Sequence, residues 1–225
     1  TVLVVHEVFA KRWNSLFEMG FCSSRIHQFL EWALLKLTFD SYVAVSEATK
    51  QDLSKYKKPE KIVRIYNGMA PLPANNYDRQ ELRRKLGFKK EFVYLFFGRP
   101  GISKGLEYLI NAVPLISKAI PESMLLLVLS KDPWSGYQKT LKLIESLGLG
   151  SRVKLCDSLP QKCLFETIVA ADCAVIPSLA EGFGFAASEA CSLECPVVST
   201  TAGSLPEVVF GKVIFVKPRS SESLA

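Results

Sequence analysis

No run of 18 or more apolar residues occurs anywhere in this chain, so it offers no segment able to cross a bilayer as a helix. Cysteines number six and contain no Cys-x-x-Cys pair, the nearest two being Cys191 and Cys195. That spacing excludes zinc-finger and dithiol redox motifs and points to reduced, mostly buried thiols of a cytosolic protein. Histidines number two, His6 and His27. No Asp-x-Asp pair is present, and neither an arginine stripe nor an aromatic block of the kind that stacks on RNA occurs. The absence of those patterns leaves nothing to suggest nucleic acid as a partner. No basic-apolar-small leader pattern opens the chain, and residues 1–5 (Thr-Val-Leu-Val-Val) read as a strand. A chain that opens in a strand and stops at Ala225 is expected to be part of something longer.

What is present is a 225-residue chain, 48% hydrophobic, enough for one full core and part of another. Its net charge of +6 is uneven. Residues 1–92 carry 16 Lys and Arg against 10 Asp and Glu, whereas residues 93–225 carry 12 of each. A basic first segment of this kind can lie against an anionic membrane surface, which would make the protein cytoplasmic and peripheral. Ordinary solvated helix faces are the alternative.

Apolar runs alternate with amphipathic stretches along the whole chain, the pattern of an α/β protein with parallel sheets. Strands are expected over 92–97, 124–129, 153–156, 174–176, 197–199 and 213–216. Between them lie helices over 106–119 and 138–147, the first with Leu106, Leu109, Ile110, Val113 and Ile116 on one face. Pro114 is expected to kink or shorten it. These six strands make a nearly complete doubly wound domain over 92–225, with a last helix cut short after its start near Ser221. Residues 1–68 read as the end of another such domain: strands to Val5, over 42–45 and 62–65, and helices over 26–39 and after a Ser46 cap. Residues 69–91 hold the linker, marked by Pro71, Pro73, Asn75 and Asn76, and a first helix. Two doubly wound domains facing each other would bind a ligand in the cleft between them, at the carboxyl ends of their strands.

The segment richest in chemistry is Glu181-Gly182-Phe183-Gly184, running through small and apolar residues to Glu189. It sets backbone amides at a helix start, with one carboxylate ahead of the helix and another about one turn inside. Amides suit phosphate oxygens and carboxylates suit hydroxyls, so the segment fits a phosphorylated, polyhydroxylated ligand. Gly98-Arg99 and Lys104-Gly105 follow the 92–97 strand directly and bring a planar guanidinium and a mobile ammonium to the same edge.

With Ala202-Gly203 and Pro206-Glu207 downstream, these blocks resemble, in order, those of retaining glycosyltransferases with two Rossmann-like domains (the GT-B kind, family 4-like, group 1). The spacing of Glu181 and Glu189 is similar to that family's E-x7-E signature, and Gly98 to Gly105 to its G-R…K-G block. The resemblance implies a hexosyl transfer from a nucleotide-sugar (UDP-, GDP- or ADP-linked) to a glycan or lipid acceptor, with retention and without a metal or other cofactor. It further implies Arg99 and Lys104 on the diphosphate, Glu189 on the ribose, and Glu181 beside the donor sugar. Gly182, Phe183 and Gly184 would contact the donor through their backbone, Glu207 would stand near the base or ribose, and His6 would face the sugar from the first domain. His27, among Phe29, Leu30 and Trp32, reads as packing or surface.

Two departures from the family pattern stand out. Glu194 occupies a helix end where glycine is usual, and Ala202 replaces a glycine, which is expected to narrow the space near the phosphates. Two other readings stay open. A Rossmann oxidoreductase is suggested by the Gly182-x-Gly184-x-x-Ala187 spacing, although that strand is the fourth of its domain. A non-catalytic sugar-nucleotide-binding fragment or pseudoenzyme is the other. By itself the chain is expected to bind a nucleoside diphosphate weakly and to transfer no sugar, with apolar surface uncovered around 1–5 and 26–39.

Overall fold

The computed structural model describes residues 1–16, 20–69 and 77–225. The expected linker residues Pro71, Pro73, Asn75 and Asn76 lie outside them.

Two parallel sheets organise the chain. The first has three strands, β1 (Val2–Val5), β2 (Ser41–Ala44) and β3 (Ile62–Arg64), in that spatial order. The short helix α1 (Trp13–Leu16) and the long α2 (Phe21–Lys36) connect β1 to β2, and α3 (Glu47–Ser54) connects β2 to β3. Ser46 caps α3 by accepting from the Thr49 amide at 3.0 Å, as its place before the helix predicts. Helix α2 begins at Phe21, five residues ahead of the expected start. Phe21, Ile26, Phe29, Leu30, Trp32 and Leu34 on α2 are exposed, as are Val2 and Val4 on β1. Apolar surface is therefore uncovered on the two stretches where the sequence predicts it. Among the described residues no helix is long and apolar enough to cross a membrane.

The second sheet contains β4 (Phe92–Gly98), β5 (Ser123–Leu129), β6 (Val153–Asp157), β7 (Cys173–Ile176), β8 (Val197–Thr200) and β9 (Val213–Val216). Their spatial order is β6-β5-β4-β7-β8-β9, all parallel. The helices are α4 (Arg79–Lys85), α5 (Leu106–Ala119), α6 (Trp134–Ser146), α7 (Gln161–Ala170), α8 (Phe185–Ser192), α9 (Leu205–Val208) and α10 (Ser221–Leu224). Both faces of β4 are covered, and its side chains divide by the two-residue strand period. Val93, Leu95 and Phe97 join one core cluster with Ile168, Ala187 and Leu205. Tyr94 and Phe96 join another with Leu109, Ile110 and Val113 of α5.

The order of these six strands reverses between β4 and β7, so this domain's ligand edge lies where those two strands end. Pro114 does not shorten α5, which runs unbroken to Ala119. A proline inside a helix costs about 3 kcal/mol. Leu109, Ile110 and Val113 are 0–1% exposed, and burial of such side chains contributes about 1.5–3 kcal/mol each, which outweighs the cost.

Candidate active site

The loops that leave β4 and β7 meet at the reversal point. After β4, which ends at Gly98, come Arg99, Pro100 and a 3-10 turn over Ile102–Lys104. After β7 comes the 177–184 segment that leads into α8. The Leu179 amide donates to the Ser103 carbonyl at 2.7 Å, and Gly105 (φ 62°) leaves no room for a Cβ against the Pro177 carbonyl. Side chains cross the same seam: Lys104 Nζ lies 2.6 Å from Glu181 Oε1, which also accepts from Ser178 Oγ at 2.8 Å. Glu181 is 11% exposed in this pair and Lys104 32%.

Arg99 is exposed. Among the described residues it has no hydrogen-bond or ion-pair partner. It lines a cleft of about 410 Å³ with Leu16, Lys104, Asp132 and Ser135, between α1 and the loops after β4 and β5. Gly184 enters α8 with φ 92°, and no side chain caps that helix, so its first-turn amides are left without a side-chain acceptor. Glu189 sits in the second turn of α8, half-buried, and burial raises its carboxyl above the ordinary glutamate range.

Phe183 is buried, in a small apolar cluster with Val45 of the first domain and Val208 of α9. Its ring also touches those of Tyr66 and Phe185, so its side chain packs while its backbone faces the loop. Gly182 is fixed by crowding, because a Cβ there would collide with the His6 carbonyl oxygen at the end of β1. Thr49 Oγ1 lies 3.2 Å from the His6 carbonyl and 3.3 Å from that of Gly182, joining the two domains. The His6 side chain itself is exposed at this junction. His27 is away from it, with Nδ1 2.8 Å from the Ser23 carbonyl and its ring against Trp13.

Glu207, expected near the base or ribose, is held by groups of the first domain. Its Oε2 accepts from the Glu47 amide at 2.7 Å and from the Tyr66 hydroxyl at 3.1 Å, and its Oε1 from the Ala48 amide at 2.9 Å. The physical reason is that the Ser46 cap leaves the Glu47 and Ala48 amides at the start of α3 without a partner of their own, and such amides attract a carboxylate. Ala202, expected to narrow the space near the phosphates, is 8% exposed and packed in the core cluster that contains Leu205. Glu194 takes the left-handed conformation expected for its position, φ 57°, closing α8 with amides of 194 and 195 on the carbonyls of 191 and 190.

The residue that sequence reading missed is Glu7. It follows His6 at the carboxyl end of β1, and a Cβ on Gly182 would stand 3.2 Å from that of Glu7. Burial, and then the Glu181 carboxylate, push its pKa up to about 7, against the opposing pull of Arg12 and Lys104. Its place directly after a strand was the available signal, since such positions line the ligand edge.

The comparisons with known proteins agree with this geometry. The profile of the family described as "Glycosyl transferases group 1" matches residues 78–225. An uncharacterized glycosyltransferase of Methanocaldococcus jannaschii is 31% identical over 192 residues, 81% of this chain and 48% of that protein. The D-inositol 3-phosphate glycosyltransferase of Corynebacterium diphtheriae is 33% identical over 61% of this chain and 33% of its own length. The chain thus spans about half the length, or less, of these curated relatives. Among solved structures, sucrose-phosphate synthase of Thermosynechococcus elongatus superposes with a TM-score of 0.82 at 23% identity, over 99% of this chain and 56% of that one. Anabaena HepE in complex with UDP and glucose gives 0.79 at 23% identity, over 100% and 59%. The family match, the two facing Rossmann-like units and the loops gathered at the strand reversal lead to one assignment: the chain belongs to the group 1 glycosyltransferases.

Proposed function

We propose that the cleft holds a nucleotide-sugar and that the protein of which this chain forms the matched part is a retaining, family 4-like hexosyltransferase. The observation that carries the reading is the Lys104–Glu181 pair, which sets a cation and a carboxylate together at the strand reversal beside the uncapped start of α8. A departing nucleoside diphosphate needs its developing charge neutralised. Arg99, Lys104 and the α8 amides supply fixed positive potential for that purpose, so no divalent metal is required in this reading. Glu189, one turn into α8, accepts from the ribose hydroxyls. Glu181 lies beside the donor sugar, the backbone of Gly182, Phe183 and Gly184 lines it, and His6 faces it from the first domain.

Acceptor oxygen and anomeric carbon must be held together for transfer, a positioning effect of about 7–11 kcal/mol. The first domain supplies the acceptor side, and a glycan or lipid hydroxyl is the acceptor class. The basic balance of residues 1–92 suits an anionic membrane surface beside it. HepE is solved in complex with UDP and glucose, and UDP is the probe for this chain. Titration calorimetry should detect UDP or GDP binding that is unchanged by EDTA. Arg99→Ala or Lys104→Ala should each weaken it by the roughly 1.5–3 kcal/mol of a charged contact, and Glu189→Gln should weaken it as well. Binding that survives both cation substitutions, or that vanishes with EDTA, overturns the metal-free arrangement.

A further inference from the structure

We propose that Glu207 is a positioning residue, a brace that bolts the sugar-facing loop of the second domain to α3 of the first. Three bonds reach its carboxylate, and all come from the first domain: the amides of Glu47 and Ala48 and the hydroxyl of Tyr66. Glu207 lies on α9, and the turn that precedes α9 holds the Glu181 loop directly. The Ser204 amide donates to the Glu181 carbonyl at 3.1 Å, and Ser204 Oγ lies 3.2 Å from the same oxygen. From the other side Thr49, in the first turn of α3, reaches the Gly182 carbonyl.

Glu181 and Gly182 therefore sit between two arms of one frame. One arm runs from α3 through Thr49, the other from α3 through Glu207, α9 and Ser204. Val45, Phe183 and Val208 form a buried apolar cluster that draws on both domains beside this frame. A carboxylate on helix amides makes charge-assisted hydrogen bonds, stronger than neutral ones, and both oxygens are used. The brace sets the distance between the domains at the point where Glu181 stands. The brace itself rests on these contacts alone; its bearing on transfer rests on the function proposed above.

The native cysteines give a direct readout. Cys22 on α2 and Cys163 on α7 are exposed, one in each domain, whereas Cys173, Cys191 and Cys195 are buried. With Cys156→Ser, spin labels on Cys22 and Cys163 report the interdomain distance by double electron–electron resonance. The parent chain should give one narrow distribution, and Glu207→Gln should broaden or shift it. Glu47→Pro tests the brace from the other side with Glu207 intact. Proline suits the first helical position and Ser46 before it is already extended; the amide donor is lost, together with the 3.6 Å pair between the Glu47 carboxylate and Arg64.

Glu47→Pro should broaden the distribution while UDP affinity stays within about twofold, because no group facing the nucleotide is removed. Distributions unchanged in both variants overturn the brace. So does a UDP affinity loss of about tenfold in Glu207→Gln with an unchanged distribution, the size expected for a direct charged contact. Failure of the parent chain to bind UDP would count against the proposed function and leave the distance measurement to decide the brace.

Discussion

Glu181→Gln should tighten nucleoside diphosphate binding, and the reason lies in what Lys104 does without a ligand. Its ammonium is held 2.6 Å from Glu181 Oε1, and a diphosphate has to draw it away or share it. Glutamine keeps the size of the side chain and an oxygen that still accepts from Ser178 Oγ, so the loop retains that anchor. What disappears is the negative charge that competes for Lys104 and repels the phosphates. A charged hydrogen bond is worth about 1.5–3 kcal/mol net. Lys104 is a third exposed, and solvent screening takes the value below that range, to on the order of 1 kcal/mol. That corresponds to about fivefold tighter UDP binding, since about 1.4 kcal/mol is a factor of ten. Calorimetry at physiological ionic strength measures it, and high salt should shrink the difference. In a Lys104→Ala background most of the gain should be lost. Weaker UDP binding by Glu181→Gln would refute the reasoning, for it would mean that Glu181 itself holds the nucleotide.

Glu194→Gly should raise stability by about 1 kcal/mol, because an exposed side chain is held at φ 57°, and urea melts should show a higher midpoint at an unchanged slope. Glu7 is ordinarily half-ionised near 4.5 and in the folded chain near 7, so folding takes up a proton between those values and stability falls as pH rises across that window. Glu7→Gln should flatten the decline, by on the order of 2 kcal/mol between pH 5 and 8 in thermal melts; an unchanged pH profile refutes the placement of Glu7. Asp172 is opposite in sign: burial raises its pKa, but the Val93 amide, Arg79 and Arg83 together hold it below the ordinary range. Its contribution is present above about pH 4 and is lost as pH falls through the lowered value. Asp172→Asn, which leaves the 9%-exposed Arg83 without its ion-pair partner, should cost about 3 kcal/mol in urea melts at neutral pH.

The second domain was legible in the sequence because its strands are buried on both faces and so read as continuous apolar runs. Each expected strand there lies within one residue of its observed limits. Helix α2 was harder to place, since Phe21, Ile26, Phe29 and Leu30 point outward and blur the period that marks a helix start. The motifs singled out Glu181, Glu189, Arg99 and Lys104 as candidates, because each block is local. The pairings were not legible. Lys104 and Glu181 are 77 residues apart, and Glu207 and the Glu47 amide 160. No spacing rule connects positions so distant, and only the order of the strands brings them together. Glu207 shows the consequence: its residue type was informative, but its partner was another domain.

Main-chain crowding fixes Glu181 more firmly than any side chain does. Gly182 passes under the His6 carbonyl and Gly203 under the Glu181 carbonyl, each without room for a Cβ. Gly203 also has φ 56°, so two constraints coincide there, one steric and one torsional. Ala202, one residue earlier, faces the other way into the core, where a methyl group adds apolar contact. The same glycine-to-alanine change is therefore harmless at 202 and damaging at 203. This is why the family-like pair of glycines can lose its first member here while the loop that carries Glu181 keeps its shape.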